Sequence, residues 1–480
     1  MSDNYSIRKN IKSGVLWNSI LAFGKQGLNL IATILLARLL CPEDYGLIGM
    51  LAIFIGVSEC IIDAGLGGAL IKKEKVNSKD FSTLSTYNLA VSILLYVVIF
   101  ALAPKVAEFY ERPVLSTLLR LYSVTILVDA FAIVPKVRLS RELRFKELSL
   151  ATLTSGFIGL ITAVILALME YGVYSLIAQY VITSIVNVVI LLMYTRYIFK
   201  LDFSYSSFKG LFAFGMNTTL SVMIKDFTGN LFTNVIAKIS PLPVTGYYNQ
   251  SYRIQNVLWS IQQRILDGAF FPILCRERDE DVVRISLKLN TFGFFILSSV
   301  YFMLIINAKY IVLVLLGVKW LSVVFYLKIL LFVGLIQNFT ALNRNMLKSL
   351  AFTFDILLTE VLSFVFIAIL LAVFNLQTYI VLVFIVLYAI FRFLFSMAMT
   401  CEKEKLITSK EFYKLLFSSI FIPCTAMICS MLLQLWTENI IFHNAVFIIV
   451  FLLMSECIKP IYYVEIKKII IGEILKMKKK

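Results

Sequence analysis

Ionisable residues occur inside long apolar segments of this sequence, where a charge is costly. On the first, second, seventh and eighth of these segments they include four basic residues, Lys25, Lys225, Arg253 and Arg264, and four acidic residues, Glu59, Asp63, Asp226 and Asp267. A charged side chain within a membrane normally faces a water-filled cavity or an opposite charge. Basic groups of this kind can hold an anion, and a buried carboxylate can take up and release a proton.

Uncharged polar residues share helical faces with several of these charges. On the first apolar segment the shared face contains Asn18, Lys25 and Asn29, and on the eighth it contains Asn249, Arg253, Asn256, Arg264 and Asp267. Lipid cannot satisfy such a stripe, so it must face water or protein. A polar cavity and a static ion-pair network, for example Arg264 with Asp267 at i,i+3, are both consistent with the pattern.

The composition indicates the elements that carry these residues. Of the 480 residues, 60% are hydrophobic and only 15% are charged, whereas a soluble domain is roughly 45–50% apolar and about 25% charged. Apolar runs of about 20 residues recur along the whole length, which suits helices that cross the bilayer and is too long for barrel strands. We predict an all-α polytopic membrane protein without a soluble domain.

The hydropathy pattern predicts about 14 transmembrane helices. Their approximate ranges are 13–36, 44–64, 82–103, 115–134, 148–168, 173–195, 212–237, 247–274, 286–306, 321–343, 355–374, 379–400, 414–436 and 444–464. The segment Tyr310–Trp320 is ambiguous, as a re-entrant or interfacial piece. Lysines and arginines concentrate in alternate connections, which places both termini in the cytoplasm and explains the net charge of +16 without nucleic-acid binding.

The sequence also repeats itself at a distance of 200 residues. The stretch GKQGLNLIATILLARLLCPEDYGLIGM aligns with IKDFTGNLFTNVIAKISPLPVTGYYNQ, which pairs Lys25 with Lys225 and Gly46 with Gly246. Chance similarity between apolar segments is the alternative. Because six helices separate the copies, their orientation is the same, as in transporters whose halves enclose the substrate site.

The repeat predicts two parallel six-helix lobes around a central cavity. We expect helices 1–6 at residues 1–200, helices 7–12 at residues 201–405, and two extra helices with a basic tail at residues 406–480. In the repeated turn, we expect Pro42 to end helix 1 and Gly46 to let the chain turn into helix 2. Glu43 and Asp44 are interpreted as residues at the rim of the cavity.

Three stretches together resemble a known family. ARLLCPEDYGLIGM, DAGLGGALI and GYYNQSYRIQNV are similar to polysaccharide exporters of the multidrug/oligosaccharidyl-lipid/polysaccharide superfamily, in the Wzx-type flippase branch with teichuronic acid and colanic acid exporters. Cys41 stands where that family often has Gly. The resemblance implies transfer of an undecaprenyl-diphosphate type of lipid-linked oligosaccharide to the periplasmic leaflet of the bacterial inner membrane by alternating access of two lobes.

The polar residues have the chemistry that this implied substrate requires. We expect Lys25, Lys225, Arg253 and Arg264 to bind the diphosphate, and Asn18, Asn29, Asn249 and Asn256 to bind the sugars. The candidates for coupling to a proton or sodium gradient are Glu59, Asp63, Asp226 and Asp267, with a salt-bridge role as the alternative. The expected partners are membrane lipids and, loosely, the polysaccharide polymerase or export machinery, and no cofactor or metal is expected.

Other functions fit the sequence less well. A lipid II flippase and a multidrug exporter of the same superfamily are the alternatives among transporters. An integral-membrane glycosyltransferase or glycan polymerase is the remote alternative from another class, so we expect no enzyme. The sequence has no P-loop or dinucleotide-binding glycine motif and no sizeable loop with a metal-binding carboxylate pair. We expect its single histidine, His443, to be exposed in a short loop.

Overall fold

The computed structural model describes residues 2–73, 75–266, 274, 293, 295–350, 352–403, 421–432 and 440–458. These residues are mostly helical, and they include no β-strand. Helices are the expected form because each one satisfies its own backbone hydrogen bonds while its apolar side chains face lipid or neighbouring helices. The prediction of an all-α polytopic membrane protein is confirmed.

The helices follow one another with short connections. In the first half of the chain they are α1 (Ser2–Leu39), α2 (Pro42–Asp63), α3 (Leu66–Lys72), α4 (Ser78–Phe109), α5 (Val114–Arg141), α6 (Phe145–Leu168), α7 (Val173–Thr195), α8 (Tyr205–Ile239) and α9 (Leu242–Ile265). The later ones are α10 (Phe295–Ile306), α11 (Ala308–Leu315), a 3₁₀ helix (Val318–Trp320), α12 (Val323–Ser349), α13 (Thr353–Val373), α14 (Thr378–Lys403), α15 (Phe421–Leu432) and α16 (Ile440–Ile458).

Among the described helices, ten are long and apolar enough to cross a membrane, or eleven if the bent pair α10 and α11 is one span. The two helices of that pair meet at 66°, and the ambiguous segment Tyr310–Trp320 contains the end of α11 and the 3₁₀ helix. The predicted spans at 212–237 and 247–274 coincide with α8 and with the described part of α9, but neither helix is apolar enough to be among the ten. The number 14 stays a prediction, because four predicted spans, at 247–274, 286–306, 414–436 and 444–464, lie partly outside the described residues.

The chain forms two compact units. One comprises Met1–Arg253 with Glu360–Val381, and the other comprises Ile254–Thr359 with Leu382–Lys480. Within the first unit, α6 packs against α7 and α1, α4 packs against α5, and α2 contacts α5 and α8. The predicted lobes at 1–200 and 201–405, and the segment at 406–480, stay a prediction.

The connection between α1 and α2 is a tight helix cap. Helix α1 ends at Leu39 and Pro42 occupies the first turn of α2, where its missing N–H costs nothing. The Cys41 backbone N–H donates to Asp44 Oδ2 at 3.0 Å, so the aspartate that we expected at a rim stabilises the start of α2.

Gly46 does not turn the chain, and that expectation is wrong, because Gly46 lies inside α2. A Cβ atom at Gly46 would lie 2.8 Å from the Leu242 carbonyl oxygen, and a Cβ atom at Gly246 would overlap the Pro42 carbonyl. The two glycines are therefore needed for the close approach of α2 and α9. Pro42 and Leu242, like Gly46 and Gly246, are 200 residues apart, so the two copies of the repeated turn contact each other reciprocally.

The expectation for His443 is also wrong. This residue lies in α16 and is only 1% exposed. Its backbone carbonyl accepts a hydrogen bond from the Ser430 hydroxyl at 3.0 Å. His443 is thus part of the packing between α15 and α16.

The α2–α9 contact predicts opposite effects for two glycine substitutions. Gly246→Ala introduces a methyl group where the Pro42 carbonyl lies, so we expect it to destabilise the protein by about 1–3 kcal/mol. Gly210→Ala is the matched control, because no atom lies within 4 Å of its Cβ position in α8, and it should stabilise by about 0.5–1 kcal/mol. Thermal unfolding in detergent compares the two. Equal melting temperatures would contradict the close contact.

Candidate functional site

Arg253 on α9 lies among tyrosines from three other helices. Its Nη2 donates to the Tyr180 hydroxyl of α7 at 2.9 Å, and its guanidinium lies 5.4 Å from the ring centroid of Tyr45 on α2. Tyr180 stacks on Tyr122 of α5, with 4.9 Å between ring centroids. A guanidinium at this distance from an aromatic ring is attracted by the ring face. Four helices of the first unit thus position one cation.

The charge of Arg253 is not balanced by a carboxylate in the described part of the chain. Ion pairs found there, such as Lys73–Asp80 and Lys238–Glu111, involve other residues, and the described contacts of Arg253 are with neutral rings and a hydroxyl. Arg253 is half-buried while Tyr45 is fully buried, so water solvates the guanidinium incompletely. A cation in this condition gains from an incoming anion, and an arginine can hold a phosphate through two parallel hydrogen bonds.

A second group of charges surrounds Glu59 on α2. The electrostatic neighbours of this exposed carboxylate are Lys25 on α1, Asp129 and Lys136 on α5, and Asp226 on α8. Asp129 accepts a hydrogen bond from the Ser184 hydroxyl at 2.7 Å. The structure therefore brings together the predicted residues Lys25, Glu59 and Asp226. Carboxylates and lysines in one field suit the binding and release of a small cation.

Two predicted residues have local structural contacts. Asn249 is buried, and its Nδ2 donates to the Tyr45 carbonyl oxygen at 2.7 Å, so it helps to hold α9 against α2. Asp63 accepts a hydrogen bond from the Gly65 backbone N–H where α2 ends, next to the left-handed Ala64 with φ of 41°. Both contacts favour a structural role, although the sugar-binding role of Asn249 and the coupling role of Asp63 stay predictions.

The other predicted residues are spread along the chain. Asn29 is exposed on α1 of the first unit, and Asn256 and Arg264 are exposed on the part of α9 that belongs to the second unit. The side chains of Asn18 and Lys225 and the whole of Asp267 lie outside the described residues. Their predicted roles stay predictions.

We did not predict from the sequence that Tyr45, Tyr122, Tyr180, Asp129 or Lys136 belongs to the site. The tyrosines gave no signal, because an aromatic residue in an apolar run normally packs in the core or faces lipid. Asp129 gave a signal that could have been used, since it is the one carboxylate in the run 115–134. Lys136 follows a proline directly after that run, so the sequence predicts that it belongs to the basic connection between two helices.

Comparisons with known proteins identify similar chains. A family described as "Polysaccharide biosynthesis protein" matches residues 35–325, which is more than half of the chain. The lipopolysaccharide biosynthesis protein WzxC of Escherichia coli is 24% identical over 69% of this chain and 68% of its own length. The teichuronic acid biosynthesis protein TuaB of Bacillus subtilis is 24% identical over 73% of this chain and 74% of its own length.

A third curated relative and two solved structures extend the comparison. The succinoglycan biosynthesis transport protein ExoT of Rhizobium meliloti is 26% identical over 65% of this chain and 64% of its own length. The lipid II flippase MurJ, in an inward closed conformation, matches with a TM-score of 0.68, 16% identity and coverage of 94% of this chain and 99% of its own. An inward-facing MATE multidrug transporter matches with a TM-score of 0.59, 15% identity and coverage of 82% and 100%. These two likenesses show the fold.

The contacts of Asn249 predict that its replacement affects stability. Asn249→Ala removes the buried hydrogen bond to the Tyr45 carbonyl, and we expect a loss of about 1 kcal/mol. Asn256→Ala is the control, because Asn256 is exposed on the same helix, and it should leave stability unchanged. Thermal unfolding of the purified variants measures both. An unchanged melting temperature for Asn249→Ala, together with impaired transport, would instead favour a sugar-binding role.

Proposed function

Because the chain belongs to the polysaccharide biosynthesis protein family, we propose that it is a flippase for a lipid-linked oligosaccharide. The substrate is an oligosaccharide on an isoprenoid diphosphate, and the chain moves it from the cytoplasmic to the periplasmic leaflet for surface polysaccharide synthesis. The relatives named for lipopolysaccharide, succinoglycan and teichuronic acid biosynthesis support this class of substrate. The chain works as a transporter in the inner membrane, with both termini cytoplasmic and with the polymerase as a loose partner.

The observation that carries the proposal is the guanidinium of Arg253 among neutral tyrosines. A diphosphate is a doubly charged anion, and transfer through a membrane requires a cation that can replace part of its hydration. Arg253 has no carboxylate partner among the described residues, so an incoming diphosphate competes with no internal anion. Tyr180 orients the guanidinium through its hydroxyl. The aromatic rings beside it also suit the apolar faces of sugars.

The contact between α2 and α9 supports alternating access. From the basic connections we infer that both helices start on the outward face of the membrane, where Gly46 and Gly246 bring the two main chains together. In this arrangement the outward ends of α2 and α9 are closed against each other. Release to the periplasmic leaflet then requires the two helices to separate at these glycines.

For ion coupling, Glu59 is the strongest of the predicted carboxylates. It is exposed one turn before the end of α2 and has cationic and anionic neighbours from three other helices, so a bound proton or sodium ion would change the charge balance of the whole group. Asp63 is less suitable because it already caps the turn after α2. Asp226 belongs to the same group and is the second candidate.

The substrate proposal predicts a strong effect of charge at Arg253. Arg253→Gln should reduce transport at least tenfold, because charge-assisted hydrogen bonds to the diphosphate contribute roughly 1.5–3 kcal/mol. Arg253→Lys should retain part of the activity. The measurement is surface polymer and accumulated lipid-linked oligosaccharide in a deletion strain that carries each variant, with the membrane content of the protein determined in parallel.

Arg120→Gln is the control for this experiment. Arg120 also lies in an apolar helix and over an aromatic ring, 4.2 Å from the centroid of Phe100, but away from the tyrosine cluster. We expect normal polymer with this variant. Normal polymer with Arg253→Gln would refute the proposed diphosphate site, and accumulation of lipid II in place of the oligosaccharide would favour the lipid II flippase.

The coupling proposal predicts different results for two carboxylates. Glu59→Gln should abolish the dependence of transport on an ion gradient, because the neutral amide cannot exchange a proton or bind a cation as strongly. Asp63→Asn should keep that dependence and lower stability only. Transport into proteoliposomes with and without a proton or sodium gradient distinguishes them. Gradient dependence that survives in Glu59→Gln and disappears in Asp63→Asn would reverse the assignment.

A further inference from the structure

A cavity of about 740 Å³ lies in the first unit, apart from the tyrosine cluster. It is formed where three connections meet: α3 to α4, α5 to α6, and α7 to α8. Its charged lining consists of Lys75, Arg138, Arg141, Glu142 and Lys200. The proposed transport mechanism makes no use of these residues.

The lining has an excess of positive charge. Arg141 is held in place by the end of α3, since its Nη1 donates to the carbonyls of Leu70, Ile71 and Lys73. Arg138 donates to Glu142 at 2.9 Å, and Glu142 also accepts from Arg144 at 3.1 Å. Arg144 does not line the cavity, and it also donates to Glu147 at 3.1 Å, so Glu142 is the one carboxylate among the lining residues that the structure describes.

Glu142 remains ionised at neutral pH. Partial burial raises the pKa of its carboxyl, but the hydrogen bonds from Arg138 and Arg144 outweigh burial and hold the pKa below its ordinary value. Lys75 and Lys200 are both exposed and have no hydrogen bond or ion pair with any described residue. The two lysines therefore present charge that Glu142 does not neutralise.

The position of the cavity matches the headgroup layer of a membrane. Its lining lies at the ends of three apolar spans, because α4 begins at Ser78, α5 ends at Arg141 and α7 ends at Thr195. The connection after α7 exposes apolar side chains beside the basic ones: Ile198 is 78% exposed and Leu201 is 71% exposed. Water does not favour such exposure, whereas the boundary between headgroups and acyl chains does.

We propose that this cavity binds the phosphate headgroup of an anionic membrane lipid. Lys75 and Lys200 hold the phosphate oxygens, Arg138 and Arg141 add to the local positive potential, and Ile198 and Leu201 contact the acyl chains. The basic connections face the cytoplasmic leaflet, whose anionic lipids attract clustered lysines and arginines. This lipid site is separate from the proposed substrate site at Arg253. The bound lipid holds the α3–α4 and α7–α8 connections at the membrane surface.

The test is the affinity of the purified full-length protein for phosphatidylglycerol, measured by native mass spectrometry during titration in detergent. Lys75→Gln with Lys200→Gln should weaken binding roughly thirtyfold, because the two basic residues near a charged lipid surface together contribute about 2 kcal/mol. Lys79→Gln with Lys209→Gln is the matched control. These two lysines are exposed on the same side of the unit but do not line the cavity, so binding should be unchanged.

Two further measurements make the result decisive. Lys75→Arg with Lys200→Arg keeps the charge and should retain binding, which separates loss of the site from loss of the fold. Glycerol phosphate provides the same phosphate without acyl chains and should compete only weakly. Equal affinities of the two glutamine pairs would overturn the site, and glycerol phosphate that competes as well as the lipid would overturn the lipid assignment.

Discussion

The described architecture of the candidate site depends on one contact between two main chains. At Gly46 and Gly246 no side chain separates α2 from α9, and each helix contacts a carbonyl of the other. Because the backbones are this close, Asn249 reaches the Tyr45 carbonyl, and Arg253, one turn further along α9, lies beside the ring of Tyr45. A larger residue at either glycine would therefore displace the arginine as well as the helix.

The charged side chains of the first unit lie in two different electrostatic environments. Around Glu59, carboxylates and lysines offset one another across several helices, so the group as a whole costs less than its members would separately. The described partners of Arg253 are only dipoles and ring faces. They reduce the cost of desolvating the guanidinium but do not compensate its charge. The first arrangement suits a small ion that comes and goes, and the second suits a large anion that brings its own charge.

The helices could be predicted almost completely from the sequence, but little of the candidate site could. Runs such as 148–168 and 173–195 predict α6 and α7 to within a few residues, because lipid permits hardly any other structure for them. The helix cap at Asp44 depends only on neighbouring residues, and the proline and acidic residues that follow Cys41 are typical of a helix start. The cluster of Tyr45, Tyr122 and Tyr180 is different, since it depends on which helices pack together. Hydropathy contains no information about that choice, and it likewise led us to place the buried His443 at the surface.

The reciprocal contact of the repeated turns has the geometry of an isologous interface. In a two-fold symmetric dimer, residue i of one subunit contacts residue j of the other, and j contacts i. Here Pro42 contacts Gly246 while Gly46 contacts Leu242, within one chain. A substitution in a true dimer would alter both halves of such an interface together. In this chain each half can change alone, so the two turns are free to diverge, as CPEDYG and PLPVTG have done, while the glycines keep them in contact.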